Sequence, residues 1–128
     1  MRIVRGSQLN YIPAAHEDPI RPGVLKRVLA TRDELIAGRL QMINWAMIPA
    51  GASFQPHYHQ DMQEVFIILS GRVEITVDGI ISELAAGDAV FIDPHEVHCM
   101  RNPTEHSVEF VALGISTGQG GQTILVDG

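Results

Sequence analysis

The chain has 128 residues, enough for one domain and too few for two ordinary cores. Hydrophobic residues make up 45% of it and charged residues 19%, which excludes a disordered tail. Nine Lys and Arg against fifteen Asp and Glu give a formal net charge of −6, so neither a nucleic-acid backbone nor an anionic membrane surface is expected as the main partner.

Residues 1–22 read as an arm. Pro13, Pro19 and Pro22 break it, and proline lacks the N–H that a central strand must donate. Within it, residues 1–12 lack the apolar block of a signal peptide. A single domain is expected over 23–128. It opens with a strand over 23–29. Thr31 and Glu34 then fit a capping box for one short helical turn. Strands follow over 40–48, which Pro49 and Gly51 stop, and 64–69, which Ser70 and Gly71 stop. Over 72–77 the alternation is clean, with Val73, Ile75 and Val77 on one face and Arg72, Glu74 and Thr76 on the other. Asp78-Gly79 predicts a two-residue hairpin turn into a return strand over 80–84. Gly87-Asp88 turns the chain again, and strands over 89–92, 97–101, 108–114 and 123–126 complete the set. Between the last two, residues 116–122 read as a flexible crossing. Many short strands with Gly and Pro at the turns indicate an all-β sandwich or barrel. No apolar stretch reaches the ~18–20 residues of a membrane span. Cys99 is the only cysteine and cannot form an internal disulfide, so a reducing cytoplasm is the expected compartment.

The histidine spacing carries the chemistry. His57 and His59 are two apart, so on a strand both imidazoles share a face. Glu64 follows four residues later, where a hairpin would bring its carboxylate back towards the rings. His98 sits at another strand start. Three imidazoles and one carboxylate suit a divalent transition metal: Fe, Mn, Ni, Zn, Co or Cu, one per chain. They do not suit Ca²⁺ or Mg²⁺, which prefer oxygen shells. On an octahedral ion such a set leaves up to two positions for water or a chelating substrate.

These residues stand in a spacing that resembles the cupin superfamily. Gly51-x5-His57-x-His59-x4-Glu64-x6-Gly71 is similar to its first motif, with every fixed position filled. Gly87-x10-His98-x3-Asn102 resembles its second. That second stretch departs from the family's Pro-x-Gly: Asp93 stands at the first proline, and His95 stands where glycine is common, at a turn that often needs positive φ. The resemblance implies a double-stranded β-helix, or jelly roll, of two antiparallel sheets. It also implies a metal inside the barrel held by His57, His59, Glu64 and His98, and a homodimer that pairs sheet edges. The family's activities are diverse, so the scaffold does not name the reaction. A metal-dependent enzyme on a small organic molecule is expected, of dioxygenase, isomerase, lyase or decarboxylase type. Glu64 is its candidate catalytic base if it leaves the ion. The alternative is a non-catalytic barrel that binds a metabolite or sugar.

The remaining residues have plainer expectations. Gly51, Gly71 and Gly87 form turns, and Asn102 bonds its own backbone. Tyr58 and Cys99 neighbour ligands and so point away from the metal. His16 and His106 are read as solvated. Phe66 and Ile68 share a face with Glu64, and Met100 shares one with His98, which makes much of the cavity wall apolar. Arg39, Gln41, Gln55, His95, Glu96 and Arg101 are the candidates for polar contacts near an opening.

Overall fold

The computed structural model describes residues 1–15, 17–116 and 122–126. His16 and most of the crossing read over 116–122 lie outside the described residues. Among the described residues, eleven strands form two antiparallel sheets that pack face to face as a jelly roll. In chain order they are β1 (Ile12–Pro13), β2 (Leu25–Thr31), β3 (Leu40–Ile48), β4 (His57–His59), β5 (Met62–Ile68) and β6 (Arg72–Val77). Then come β7 (Ile80–Ala85), β8 (Ala89–Ile92), β9 (His98–Arg101), β10 (Val108–Ser116) and β11 (Thr123–Leu125). One sheet runs β1-β2-β3-β10-β5-β8 and the other β11-β4-β9-β6-β7.

Sequence chemistry accounts for the local forms. Asp78 and Gly79 both take positive φ, 47° and 82°, the conformation a tight primed hairpin requires between β6 and β7. The capping box at Thr31 closes as expected: Glu34 Oε1 accepts from the Thr31 N–H and hydroxyl, both at 3.0 Å. The strand β10 alternates buried and half-buried residues along its whole length, so one face meets the other sheet. The core lies between the sheets, where Ile48, Ile68, Val73, Ile75, Ile92, Met100, Val108 and Phe110 are buried.

Pro13 sits in β1, at the edge of its sheet, where a missing N–H breaks no inner ladder. Further along, the Glu17 carboxylate accepts the Gly23 N–H at 2.7 Å and the Gln55 N–H at 3.3 Å. Tyr11 donates to Glu109 Oε1 at 3.0 Å, and the Arg27 guanidinium lies 4.2 Å over its ring. This segment therefore lies along the barrel and borders its interior.

One expectation is corrected. The stretch from His57 to Glu64 is not a hairpin, because β4 and β5 belong to different sheets. The chain crosses from one sheet to the other at Gln60-Asp61. Glu64 thus faces the histidines across the barrel and does not lie beside them. The reason is burial on both flanks of β5: Val65 at 5% exposure and Phe66 at 3% both need cover, which the position between β10 and β8 supplies.

Candidate metal centre

Three elements bring the site together. His57 and His59 project from β4, and His98 from β9, directly opposite His57 in the ladder. Glu64 projects from β5 in the other sheet. One ligand atom from each residue can be chosen so that all four lie within 4.8 Å of one another. The Nε2 atoms of His59 and His98 lie 2.8 Å and 3.0 Å from Glu64 Oε1, and that of His57 lies 3.9 Å away. His59, Glu64 and His98 are buried, while His57 is the ring most open to the interior.

The far sides of the rings determine what the near sides offer. His57 Nδ1 lies 2.7 Å from the Gln55 carbonyl, and His98 Nδ1 lies 2.9 Å from the Glu96 carbonyl. A carbonyl only accepts, so each Nδ1 carries the proton. In the neutral ring each Nε2 is then a bare lone pair, and both are aimed at a carboxylate oxygen that is itself an acceptor. That arrangement is repulsive unless a proton or a cation lies between them. Backbone carbonyls that fix the ring tautomer in this way are the usual outer support of histidine metal ligands. The residues therefore fit a divalent transition metal, and the donor set is three nitrogens and one oxygen.

Electrostatics agree with this. Burial alone opposes ionisation of Glu64, but the three imidazoles grouped around it, whose rings can share a proton with the carboxylate, outweigh burial and hold the carboxyl well below the usual carboxylate range. An anion is thus maintained at the centre.

Aromatic rings frame the cluster. Phe54 lies 5.5 Å from the His57 ring and 6.3 Å from His98, and Phe66 lies 6.1 Å from His98. In front of the cluster is a cavity of about 410 Å³. Its wall includes Phe54, Phe66, Phe110, Met42 and Met62, with Ala14 and Ala15 from the segment before β2. Ile68 and Met100 are core and not wall.

Of the six polar candidates, Gln41 alone lines the cavity. Arg101 pairs outside with Glu74 at 3.5 Å. Gln55 and Glu96 contribute through their carbonyls, as described. His95 takes φ 70°, so it occupies the turn where glycine is common. Its ring is exposed and lies 6.1 Å from that of Tyr58, and its N–H donates to the His59 carbonyl at 2.7 Å. Tyr58 is absent from the cavity wall, as strand parity predicted. Cys99 packs half-buried against the core, and the His106 side chain is exposed. Asn102 does more than bond its own turn. It is buried, its Nδ2 donates to the carbonyls of Ile48, Pro49 and His106, and its Oδ1 accepts from Thr104.

Sequence reasoning missed Glu17, Lys26, Arg32, Asn44 and Thr123 in the cavity wall. A signal for Asn44 was available, because it alternates with Ala46 and Ile48, two residues that had to face inward. No such signal marked Glu17, whose segment has no period.

Comparison with known proteins agrees with this architecture. Residues 44–114 match the Cupin_2 model, described as a cupin domain. An uncharacterized protein of Methanocaldococcus jannaschii is 29% identical over 89 residues, 66% of this chain and 71% of that protein. The mannose-1-phosphate guanylyltransferase of Salmonella montevideo is 34% identical over 63 residues, 49% of this chain but 13% of that enzyme. Among solved structures, a predicted oxalate decarboxylase from Thermotoga maritima has a TM-score of 0.79 at 24% identity, covering 90% of this chain and 99% of that one. A polyketide cyclase from Streptomyces resistomycificus has a TM-score of 0.75 at 19% identity, covering 99% of this chain and 87% of that one. Likeness at these identities concerns the fold. The matched region spans both motifs and every residue of the cluster, and the chain belongs to the Cupin_2 family.

Proposed function

We propose that this protein is a metal-dependent enzyme acting on a small organic molecule. The observation that carries the reading is the convergence of three Nε2 atoms on one buried carboxylate beside a cavity. His57, His59, Glu64 and His98 would hold one divalent transition metal, which would supply Lewis-acid or redox chemistry to a bound substrate. Lyase, isomerase, decarboxylase and dioxygenase chemistry all fit this donor set. Glu64 is the candidate catalytic base, since its carboxyl stays ionised and is the one group of the four able to take a proton without losing a ring tautomer. Phe54 and Phe66 exclude water around it.

A second reading is a barrel that binds a metabolite without turnover. It is favoured by one observation: Glu17 and Glu64 are the only acids in the cavity wall among the described residues, and Glu17 already serves two backbone N–H groups. Metal analysis of protein purified without chelator or affinity nickel tests both readings at their common root. About one ion per chain is expected, lost in His57→Ala and His98→Ala. No ion, and none after reconstitution, would overturn both. Turnover of small-molecule panels by the loaded protein then separates enzyme from binder.

A homodimer is part of the same proposal. Ile80, Ile81 and Phe91 are 72%, 68% and 64% exposed on the edge strands β7 and β8, which a partner copy could cover. Light scattering at micromolar concentration should give twice the chain mass, and the monomer mass would exclude it. A reducing cytoplasm remains the proposed compartment. Among the described residues no helix is long and apolar enough to cross a membrane.

A further inference from the structure

The cavity wall carries polar groups that the metal cluster does not use. Gln41 and Asn44 are 8% and 9% exposed and both line the cavity. Gln41 Oε1 and Asn44 Oδ1 are buried and accept no hydrogen bond. The Gln41 amide has a fixed sense: its Nε2 donates to the Arg39 carbonyl at 2.9 Å, so the end left without a partner is the oxygen. A buried acceptor without a donor is costly, so a small turn of either amide that brings its oxygen to an O–H or N–H group in the cavity is repaid.

A β-bulge puts Gln41 there. In the ladder with β10, Met42 faces Gly114 and Leu40 faces Ile115, so Gln41 is an extra residue with no opposite number. Bulges re-aim side chains in this way. Without the bulge, parity with Met42 and Asn44 would send Gln41 to the outer face.

Lys26 adds charge to the same wall. It is the only lysine of the chain and is half-buried in the cavity lining. It faces Ala46, whose neighbour on β10 is Phe110, and therefore lies on the inner face of its sheet. Arg32 also borders the cavity, and neither cation has a carboxylate within 4.0 Å among the described residues. By sheet spacing, Asn44 and Glu64 are two strands and one residue pair apart, roughly 12 Å between Cα positions. A molecule of a few carbons spans that gap once the side chains have reached inward.

We propose that the cavity selects a small hydroxy acid of about three to six carbons. Its hydroxyls donate to Gln41 Oε1 and Asn44 Oδ1, and its carboxylate meets Lys26. This deepens the reading of the same site and rests on it for the end that would face the four ligands. An aromatic or purely aliphatic substrate leaves both amide oxygens unpaired and is disfavoured.

Calorimetry on the manganese-loaded protein tests this with matched pairs: glycerate against propionate, tartrate against succinate, gluconate against hexanoate. Erythritol serves as the uncharged control. At least one hydroxy acid should bind about tenfold or more tighter than its deoxy partner and than erythritol. Gln41→Met should cut the hydroxyl preference severalfold, and Lys26→Met should erase the preference for the acid over erythritol. Metal content is recorded for each variant and should not change. Loss of metal would fault the metal reading, whereas equal binding within every pair, with metal retained, would overturn this one. Lys26→Met keeps the test open if Gln41→Met does not fold, because Lys26 is only half-buried.

Discussion

The Nε2 of His98 and Oε1 of Glu64 lie 3.0 Å apart although 34 residues and the whole thickness of the barrel separate their strands. The pair ties the two sheets together through a charged centre. Glu64→Gln keeps the shape and removes the anion. Metal affinity in chelator competition should then fall by more than the 10–100-fold that loss of an outer support brings.

The same pair sets an acid limb. The Glu64 carboxyl is held below its unfolded value of about 4.3, so its contribution to stability is complete above that pH. It is lost as pH falls through the folded value. In metal-free protein with EDTA, urea midpoints of wild type and Glu64→Gln should therefore differ most above about pH 5 and draw together as pH falls below it. A gap that stays constant with pH would contradict the assignment.

Asn102 is a buried clamp between two loops. Its Nδ2 serves three carbonyls, with distances of 2.7 to 3.2 Å, and no water can reach it. Asn102→Ala leaves those acceptors unpaired and should cost about 2–4 kcal/mol in denaturant unfolding. A loss below 1 kcal/mol would show that the loops repack.

His95 occupies left-handed space at φ 70° with its ring in solvent. His95→Gly should raise stability by about 0.5–1 kcal/mol, and His95→Val should lower it by more. Thermal unfolding of the two variants reads this directly. The reverse order would mean that the Tyr58 contact outweighs the backbone strain.

Gly23 permits a close approach at ordinary φ. A Cβ there would stand 2.0 Å from the Ser53 carbonyl oxygen, which is backbone and cannot swing away. Gly23→Ala should cost about 1–3 kcal/mol. It should also free the N–H that Glu17 now holds, so hydrogen exchange near residues 14–24 should quicken.

What was legible in the sequence depended on period and punctuation. Clean alternation fixed β6, Asp78-Gly79 fixed its turn, and histidine spacing fixed three candidate ligands on known faces. Glu64 was readable as a member of the cluster, but its sheet was not. Alternation says which face a side chain takes and nothing about which sheet its strand joins. Gln41 was named for its polarity alone, since a bulge reverses parity without leaving a mark in the residue pattern. Gln55 and Glu96 were weighed as side chains, yet they act through carbonyls, which every residue possesses.

The bulge in β3 also bears on how such a barrel can change its diet. Removing Gln41 would close the bulge, keep Leu40 opposite Ile115 on the outer face, and leave no polar side chain in its place on the cavity wall. The four candidate ligands sit on β4, β5 and β9 and would not move. A single deletion could therefore strip one polar group from the wall while the candidate ligands stayed in place, giving descendants of one ancestor different molecules to work on.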